Sequence, residues 1–291
     1  MKVGIVLISS EKVKELRLIT NCGIMACKDA LVEAGGDKDL AVKILREKGL
    51  ATAEKKSGRI AVEGVVCAKV SESFGCILEV NSETDFAARN SCFENFVLKV
   101  LNCIIEKKPS NLDSLLNLSY ENGRTIFESL TELISKVGEN IVVRRFKVFE
   151  GINDFYIHGE GRLGVLINFD LDDVEKSKIQ KFKEFSKNIC MQVVASNPLY
   201  IKKEDVPHEI LENEKKILKN QALNEGKSEA IVEKMLNGRV QKYYKEICLL
   251  EQPYIKNQTE SVFQYIEEVS KKIGTKIYIK SFARFEKGEK F

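Results

Sequence analysis

The chain has 291 residues, and its 44% hydrophobic and 31% charged content is typical of a globular protein with a dense solvated surface. This length allows one large domain or roughly two to three smaller ones. The net charge of +3 is the small difference between 46 basic and 43 acidic residues. Proteins dedicated to nucleic acids usually carry a larger, clustered basic excess, so we expect the partners to be proteins or small molecules.

The cysteines and the apolar runs indicate the compartment. The eight cysteines form no Cys-x-x-Cys redox or zinc pair. Most lie in apolar runs, which predicts buried, reduced thiols in a reducing compartment. The N-terminal apolar run at residues 5–8 is too short for a secretion signal, and no run approaches the ~18 apolar residues of a membrane span. A cytoplasmic protein is therefore expected.

The N-terminal region predicts a small helical module. Apolar residues at helical spacing indicate three short helices, with Asp37 capping the third and Gly49 ending it. The polar, basic segment 52–60 is only weakly periodic and is interpreted as a linker. A three-helix module at 1–51 on a tether is expected to bind a partner rather than to hold an active site.

The middle of the chain predicts two small α+β units of similar plan. In each, a hairpin of two strands is followed by helices and a further strand. The first unit is predicted at 61–150, and the second at 151–200 together with 251–291. We therefore expect an α+β fold in which antiparallel sheets carry helices.

The segment 201–250 differs in character, because it predicts two highly charged helices joined by a turn at 225–227. The second helix carries an apolar stripe with steps of 4, 3, 4 and 3 residues: Leu236, Val240, Tyr243, Ile247 and Leu250. Such spacing is typical of a coiled-coil seam. The segment is predicted to form an antiparallel helical hairpin inserted in the second α+β unit.

The stretch LEVNSETDFAARN, residues 78–90, places an aromatic ring where a strand changes into a helix. An alternating apolar run ends at Val80, and Phe86 follows as a helical pattern begins, with Thr84 or Asp85 as its cap. A phenylalanine in this place either packs back onto its own domain or points outward. The residues alone leave both alternatives open.

The motifs for catalysis are weak. GEGRLG at 159–164 fits the dinucleotide pattern G-x-G-x-x-G, but LGVLINF follows it with strand composition, where a nucleotide site needs a helix. A hairpin turn is favoured. The two histidines, His158 and His208, lie in no metal-ligand pattern. A Cys–His nucleophile pair stays open, although no local signature supports it. We therefore expect that the protein is not an enzyme and that it binds no cofactor and no metal ion.

The chain resembles the elongation factor Ts family in a series of blocks that keep the family's order over about residues 11–288. They include VKELRLITNCGIMACKDAL, EVNSETDFAARN, KVGENIVVRRF, HGEGRLGVLINF and VEKMLNGRVQKYYKEICLLEQPYIK. The resemblance implies an N-terminal module of ubiquitin-associated type, a core of two α+β halves and an inserted coiled-coil hairpin. It also implies a guanine-nucleotide exchange factor of translation elongation. Such a factor binds the GDP form of elongation factor Tu, promotes GDP release and stays until GTP binds.

The resemblance also assigns contact residues. The family motif associated with dislodging Mg²⁺ from Tu matches Thr84, Asp85, Phe86 and Ala87. Further expected contacts with Tu are Val137, Gly138 and His158. The hypothesis that follows is that Phe86 wedges into Tu's GTP-binding domain while Asp85 fixes it by hydrogen bonding. It predicts that Phe86 is more exposed than a core phenylalanine.

The chain departs from the family pattern at several positions. Ala87 replaces a common valine, Val137 replaces isoleucine, and Gln192 stands where many members have histidine. The chain also stops soon after FEKGE, so the C-terminal helix with which some members touch Tu is expected to be missing. The Tu contacts of that histidine and that helix are therefore in doubt.

Two other function classes compete with exchange. The helical hairpin supports self-association in some family members, so an assembly adaptor without exchange activity is one alternative. An enzyme is a more distant one, and it would need a ligand at GEGRLG.

Overall fold

The computed structural model describes residues 8–20, 22–121, 123–224 and 229–290. The helices are α1 (Ser10–Thr20), α2 (Ile24–Glu33), α3 (Lys38–Lys56), α4 (Asp85–Ala88), α5 (Ser91–Lys107), α6 (Leu112–Leu116), α7 (Ile126–Val137), α8 (Gln180–Ser196), α9 (His208–Asn224), α10 (Glu229–Ile247) and α11 (Val262–Ile273). The strands are β1 (Glu63–Val70), β2 (Phe74–Ser82), β3 (Ile141–Glu150), β4 (Ile152–His158), β5 (Leu163–Leu171), β6 (Pro253–Tyr254), β7 (Asn257–Ser261) and β8 (Ile277–Glu286). The predicted turn at 225–227 and most of the apolar run at 5–8 lie outside the described residues.

The expected mixed α+β architecture is confirmed, with N-terminal helices followed by antiparallel sheets that carry helices. The chain folds into two compact units. The first contains the chain up to Cys67, Leu78–Phe146 and the C-terminal residues from Glu286, and the second contains Ala68–Ile77 and Lys147–Phe285. Across the described ranges, no helix is both long and apolar enough to cross a membrane.

Helices α1 to α3 enclose a small apolar core of their own. Asp37 caps α3 as predicted, because its carboxylate accepts a hydrogen bond of 2.9 Å from the Leu40 amide. Leu16, Cys27 and Leu31 are buried in this core. The predicted N-terminal helices are thus confirmed.

The predicted end of the third helix is wrong. Helix α3 passes through Gly49 and continues to Lys56, so the first half of the predicted linker 52–60 is helical. A glycine inside a helix costs only about 1 kcal/mol. Here it is buried where α3 packs on α7, and a methyl group at Gly49 would lie 3.9 Å from Cβ of Ser135. Packing against a neighbouring helix therefore outweighs the local stop signal.

The first sheet has the strand order β1-β2-β3. Strands β1 and β2 form the predicted hairpin, since only residues 71–73 separate them. Every residue of β2 is buried. Helix α5 buries Phe93, Phe96 and Ile104, and α7 buries an apolar face that includes Leu130 and Ile134.

The second sheet has the order β4-β5-β8, with β4 antiparallel to β5 and His158 opposite Leu163. Helices α8 and α11 contribute to its apolar core, which contains the packed rings of Phe169, Phe182 and Phe185. Strand β8 follows α10 in sequence and pairs with β5, so the segment after 250 returns to this unit as predicted. The short hairpin of β6 and β7 was not predicted.

The motif GEGRLG forms the turn between β4 and β5. Gly159 and Gly161 have φ of +60° and +86°, in the region that glycine adopts without strain. Strand β5 begins at Leu163, directly after the turn. The nucleotide-binding alternative is therefore contradicted, because that site needs a helix N-terminus at this point.

Helices α9 and α10 follow α8 and pack against each other. At the base of the pair, Val206, Ile247 and Cys248 form a small buried cluster. Val240, another residue of the predicted seam, is buried as well.

Candidate functional site

Phe86 points outward. Its side chain is 82% exposed on the four-residue helix α4, whereas Phe93, in the next helix, is fully buried. The first alternative, in which the ring packs back onto its own domain, is therefore wrong. The prediction that Phe86 is more exposed than a core phenylalanine is confirmed. Ala87, which follows it, is buried and packs the short helix against the protein.

Thr84 holds the start of this helix. Its hydroxyl accepts a hydrogen bond of 3.2 Å from the Ala87 amide, so Thr84 rather than Asp85 is the cap. The same hydroxyl donates to Oε1 of Glu139 over 2.7 Å, and the Thr84 amide donates to Oε2 over 3.0 Å. The Thr84 carbonyl accepts from the Ser82 hydroxyl over 2.9 Å. Each polar group of Thr84 is thus bonded within the protein.

Glu83 forms a second link between the turn before Phe86 and the segment after α7. Here the turn supplies the carboxylate and the segment after α7 supplies the donor. Oε1 of Glu83 accepts a hydrogen bond of 2.6 Å from the Asn140 amide. The buried Asn140 side chain donates to the Arg59 carbonyl over 2.8 Å, and Nη1 of Arg59 lies 3.5 Å from Glu83. The turn before Phe86 is therefore tied to the connection between α7 and β3 and to the chain that follows α3.

Asp85 is exposed, and its carboxylate makes no hydrogen bond to any residue that the structure describes. In the free protein, therefore, no hydrogen bond of the Asp85 carboxylate to the described residues holds Phe86 in place. Its charge is available to a partner. The fixing contacts come from Thr84 and Glu139 instead.

Val137 and Gly138 end α7. Gly138 adopts φ +83°, a left-handed conformation, and its amide bonds back to the Ile134 carbonyl. Glu139 follows directly, so this helix end and the Phe86 turn are in contact through the Glu139 carboxylate. The structure thus brings 84–87 together with Val137 and Gly138, as parts of one compact unit.

His158 belongs to the second compact unit. It is exposed at the end of β4, and its Nδ1 lies 3.4 Å from the Tyr156 hydroxyl. The ammonium of Lys187 lies over the Tyr156 ring, 5.1 Å from its centroid.

Gln192 has a structural role in this chain. The side chain is fully buried in α8, and its Oε1 accepts a hydrogen bond of 2.8 Å from the Ile255 amide. Its amide nitrogen donates to the Pro253 carbonyl over 3.2 Å and to the Ser196 hydroxyl over 2.9 Å. Gln192 therefore fastens the β6–β7 hairpin to α8, and its side chain does not face a partner.

Burial lowers the reactivity of two of the cysteines. Burial raises the pKa of Cys67 to about 12 and that of Cys248 to about 11, so both thiols are protonated at neutral pH. Within the part of the chain that the structure describes, no group of three or more His, Cys, Asp or Glu side chains could hold a metal ion.

Sequence reasoning missed Glu83, Glu139 and Asn140. Glu139 lies 55 positions from Thr84, and no periodicity links the two segments. The available local signal is Gly138 in KVGEN, which predicts a helix end and so places Glu139 just beyond it. It does not predict the partner of the Glu139 carboxylate.

An exposed aromatic ring on a turn held by long-range hydrogen bonds is typical of a protein that acts by binding another protein. The comparisons give the family. A family model described as "Elongation factor TS" matches residues 83–289. The chain is 46% identical over 288 residues to elongation factor Ts of Clostridium botulinum, covering 97% of this chain and 94% of the relative. It is 48% identical over 290 residues to elongation factor Ts of Clostridium kluyveri, with the same coverage.

This chain belongs to the elongation factor Ts family, so the predicted resemblance is confirmed. Members of the family are nucleotide-exchange factors for elongation factor Tu in translation elongation, and they are not catalytic enzymes.

Proposed function

We propose that this protein releases GDP from elongation factor Tu by inserting Phe86 into the GTP-binding domain of Tu, and that it stays bound until GTP binds. The single observation that supports this is the 82% exposure of Phe86 on a turn whose backbone is held by long-range hydrogen bonds. A wedge needs a free ring and a fixed base.

The exchange is a matter of linkage. If the factor binds nucleotide-free Tu better than Tu–GDP, GDP binds the complex more weakly by the same ratio. Weakening GDP binding by roughly 10⁴-fold takes about 5.5 kcal/mol of differential binding. One aromatic anchor in a pocket contributes about 2–4 kcal/mol. Phe86 therefore shares the task with other contacts, for which we propose Thr84, Asp85, Ala87, Val137, Gly138 and His158.

The proposed consequence in Tu is the loss of Mg²⁺. A shift of the elements that hold the ion removes the main positive charge opposite the diphosphate. Mg²⁺ is held by few protein ligands together with the nucleotide phosphates, so a small displacement is enough to release it. GDP then leaves faster.

The proposed division of labour follows the predicted domains. The module at 1–51 and the core half at 61–150 would bind Tu's GTP-binding domain, and the half formed by 151–200 and 251–291 would bind its third domain. The insertion at 201–250 is proposed to be a coiled-coil hairpin that can support self-association. The contact between α9 and α10 and the burial of Val240 and Ile247 support the hairpin. The proposed location is the cytoplasm, where Tu works.

The direct test is the release of a fluorescent GDP analogue from Tu at saturating factor. We expect the wild-type protein to accelerate release strongly and Phe86→Ala to lose most of that acceleration. Equal maximal rates for the two proteins would contradict the wedge. If neither protein changed the rate, the adaptor alternative would be favoured, and sedimentation of the wild-type protein would then measure its self-association.

A further inference from the structure

Phe86 cannot be positioned by its own packing, because the ring is 82% exposed. Its location in the free protein depends on the backbone of α4, and that helix has only four residues. So short a helix is not stable by itself, since forming its first turn is unfavourable. The contacts that fix its first turn therefore decide where the ring is presented.

Those contacts converge on the carboxylate of Glu139. One oxygen accepts from the Thr84 amide over 3.0 Å, and the other accepts from the Thr84 hydroxyl over 2.7 Å. Because the hydroxyl proton points at Glu139, the hydroxyl offers a lone pair to the Ala87 amide, 3.2 Å away. Glu139 thus orients the cap of α4 as well as holding its backbone. Hydrogen bonds with one charged partner are among the stronger ones in proteins.

We infer that Glu139 is a positioning residue for nucleotide exchange, acting through Thr84 to hold Phe86 in its inserting orientation. This inference rests on the proposed function, because it assigns Glu139 a role only if Phe86 is the wedge. Gly138 makes the arrangement possible, since its left-handed conformation ends α7 and is followed at once by Glu139.

The informative variant is Glu139→Gln, which keeps the size of the side chain. The two Thr84 donors face different oxygens of Glu139, and in the glutamine an NH2 group takes the place of one of these oxygens. With the side chain in the same position, one of the two donors therefore loses its acceptor, and the bond that remains no longer has a charged partner. We expect the maximal rate of GDP release from Tu to fall about tenfold, which corresponds to losing one charge-assisted hydrogen bond at the barrier. The concentration for half-maximal release should change much less, because the other contacts remain.

Measuring both the maximal rate of release and the half-saturating concentration distinguishes a positioning role of Glu139 from a loss of folded protein. A poorly folded variant leaves fewer active molecules, which raises the apparent half-saturating concentration and leaves the maximal rate unchanged. Thr84→Ser, which keeps the hydroxyl, should retain most of the wild-type rate. The matched control is Glu106→Gln, which changes an exposed acid near the end of α5 and away from Thr84, and it should behave like the wild type.

The double variant Phe86→Ala/Glu139→Gln decides whether Glu139 acts through the ring. We expect it to be no slower than Phe86→Ala alone, because a misplaced wedge matters only when the wedge is present. A further tenfold loss in the Phe86→Ala background would overturn the inference in favour of direct contact between Glu139 and Tu. Hydrogen exchange of the free protein should also show reduced protection of the Thr84 and Ala87 amides in Glu139→Gln.

The outcomes also separate this inference from the proposed function. If Phe86→Ala slows release and Glu139→Gln does not, the positioning role is wrong and the wedge stands. If Phe86→Ala leaves release unchanged, the wedge is wrong and the role of Glu139 is overturned with it.

Discussion

The turn at 84–87 is held by residues from a distant part of the chain, whereas the turn at 159–162 is held by its own residues. Thr84 bonds to Glu139, 55 positions away. In the second turn the Arg162 amide donates to the Gly159 carbonyl over 3.0 Å, and Gly159, Glu160 and Gly161 all adopt left-handed conformations. The first turn contains predicted contacts with Tu, and the second directly follows one, His158, but only the first displays a large apolar ring.

The difference indicates what each contact requires. A polar side chain such as His158 can find its partner from a range of positions, since hydrogen bonds also form through water. A ring that enters a packed pocket has to arrive in one position, because interiors tolerate little misfit. We therefore expect exchange to be sensitive to changes remote from Phe86 and insensitive to most changes around His158.

The largest contrast is expected between two phenylalanines. Phe93→Ala should lower the free energy of unfolding by about 3–5 kcal/mol, because it empties a fully buried site. Phe86→Ala should leave unfolding within about 0.5 kcal/mol of the wild type while removing most of the exchange activity. Thermal denaturation and GDP release, measured on both variants, check this. A large loss of stability in Phe86→Ala would show that the ring packs in the free protein.

Glu79 tests a buried ion pair in the strand that precedes the first turn. It is fully buried in β2, its Oε2 lies 2.7 Å from Nε of Arg145, and its Oε1 accepts from the Gly288 amide over 2.9 Å. Glu79→Ala should cost about 3 kcal/mol, since the Gly288 amide and the Asn81 side chain lose a buried acceptor, while Arg145 keeps its pair with Glu289. Urea denaturation measures the loss. Glu63→Ala, which breaks the partly exposed pair with Lys287, is the control and should cost about 1 kcal/mol or less.

A substitution at Gly138 would disturb the position of Glu139 while keeping the charge of the Glu139 carboxylate. Gly138→Ala should destabilise the protein by about 1–2 kcal/mol, because the left-handed conformation at φ +83° strains a residue with a Cβ. Because the strain lies next to Glu139, the maximal rate of GDP release should fall as well. Gly274→Ala has a similar φ of +74° at the end of α11 and should lose stability without that loss of rate.

The smallest effect is expected at the second turn. His158→Ala should change the free energy of unfolding by less than about 0.5 kcal/mol, since the ring is exposed and makes one long hydrogen bond. Its effect on exchange should be smaller than that of Glu139→Gln. A larger effect would mean that the His158 contact matters more than the wedge, and the comparison of the two turns would have to be reversed.

Much of the local structure could be predicted from the residues. Asp37 caps α3, Thr125 caps α7 through a capping box with Glu128, and Gly138 ends α7. Each of these signals acts within three or four positions, where the backbone geometry of a helix end already decides which side chain can bond. The same holds for the glycines between β4 and β5, whose conformation is their own property.

The contacts between segments could not be predicted in this way. The sequence of residues 78–90 is compatible with Phe86 packing inward or pointing outward. The burial of Ala87 and Gln192 depends on which other segments of the chain pack against them. Gly49 gave a local stop signal that packing against α7 overruled. In each case the deciding partner is remote in sequence, so its effect exists only once the units have folded.

The sequence by itself determined most of the helices, the β1–β2 and β4–β5 hairpins, the family and the place of Phe86 between a strand and a helix. The tertiary structure alone decided that Phe86 is exposed and that Thr84 is braced by Glu139. The physical reason is the range of the interactions. Caps, turns and periodic apolar faces act between near neighbours, whereas the two donors of Thr84 find the Glu139 carboxylate only after the first compact unit has brought the two segments together.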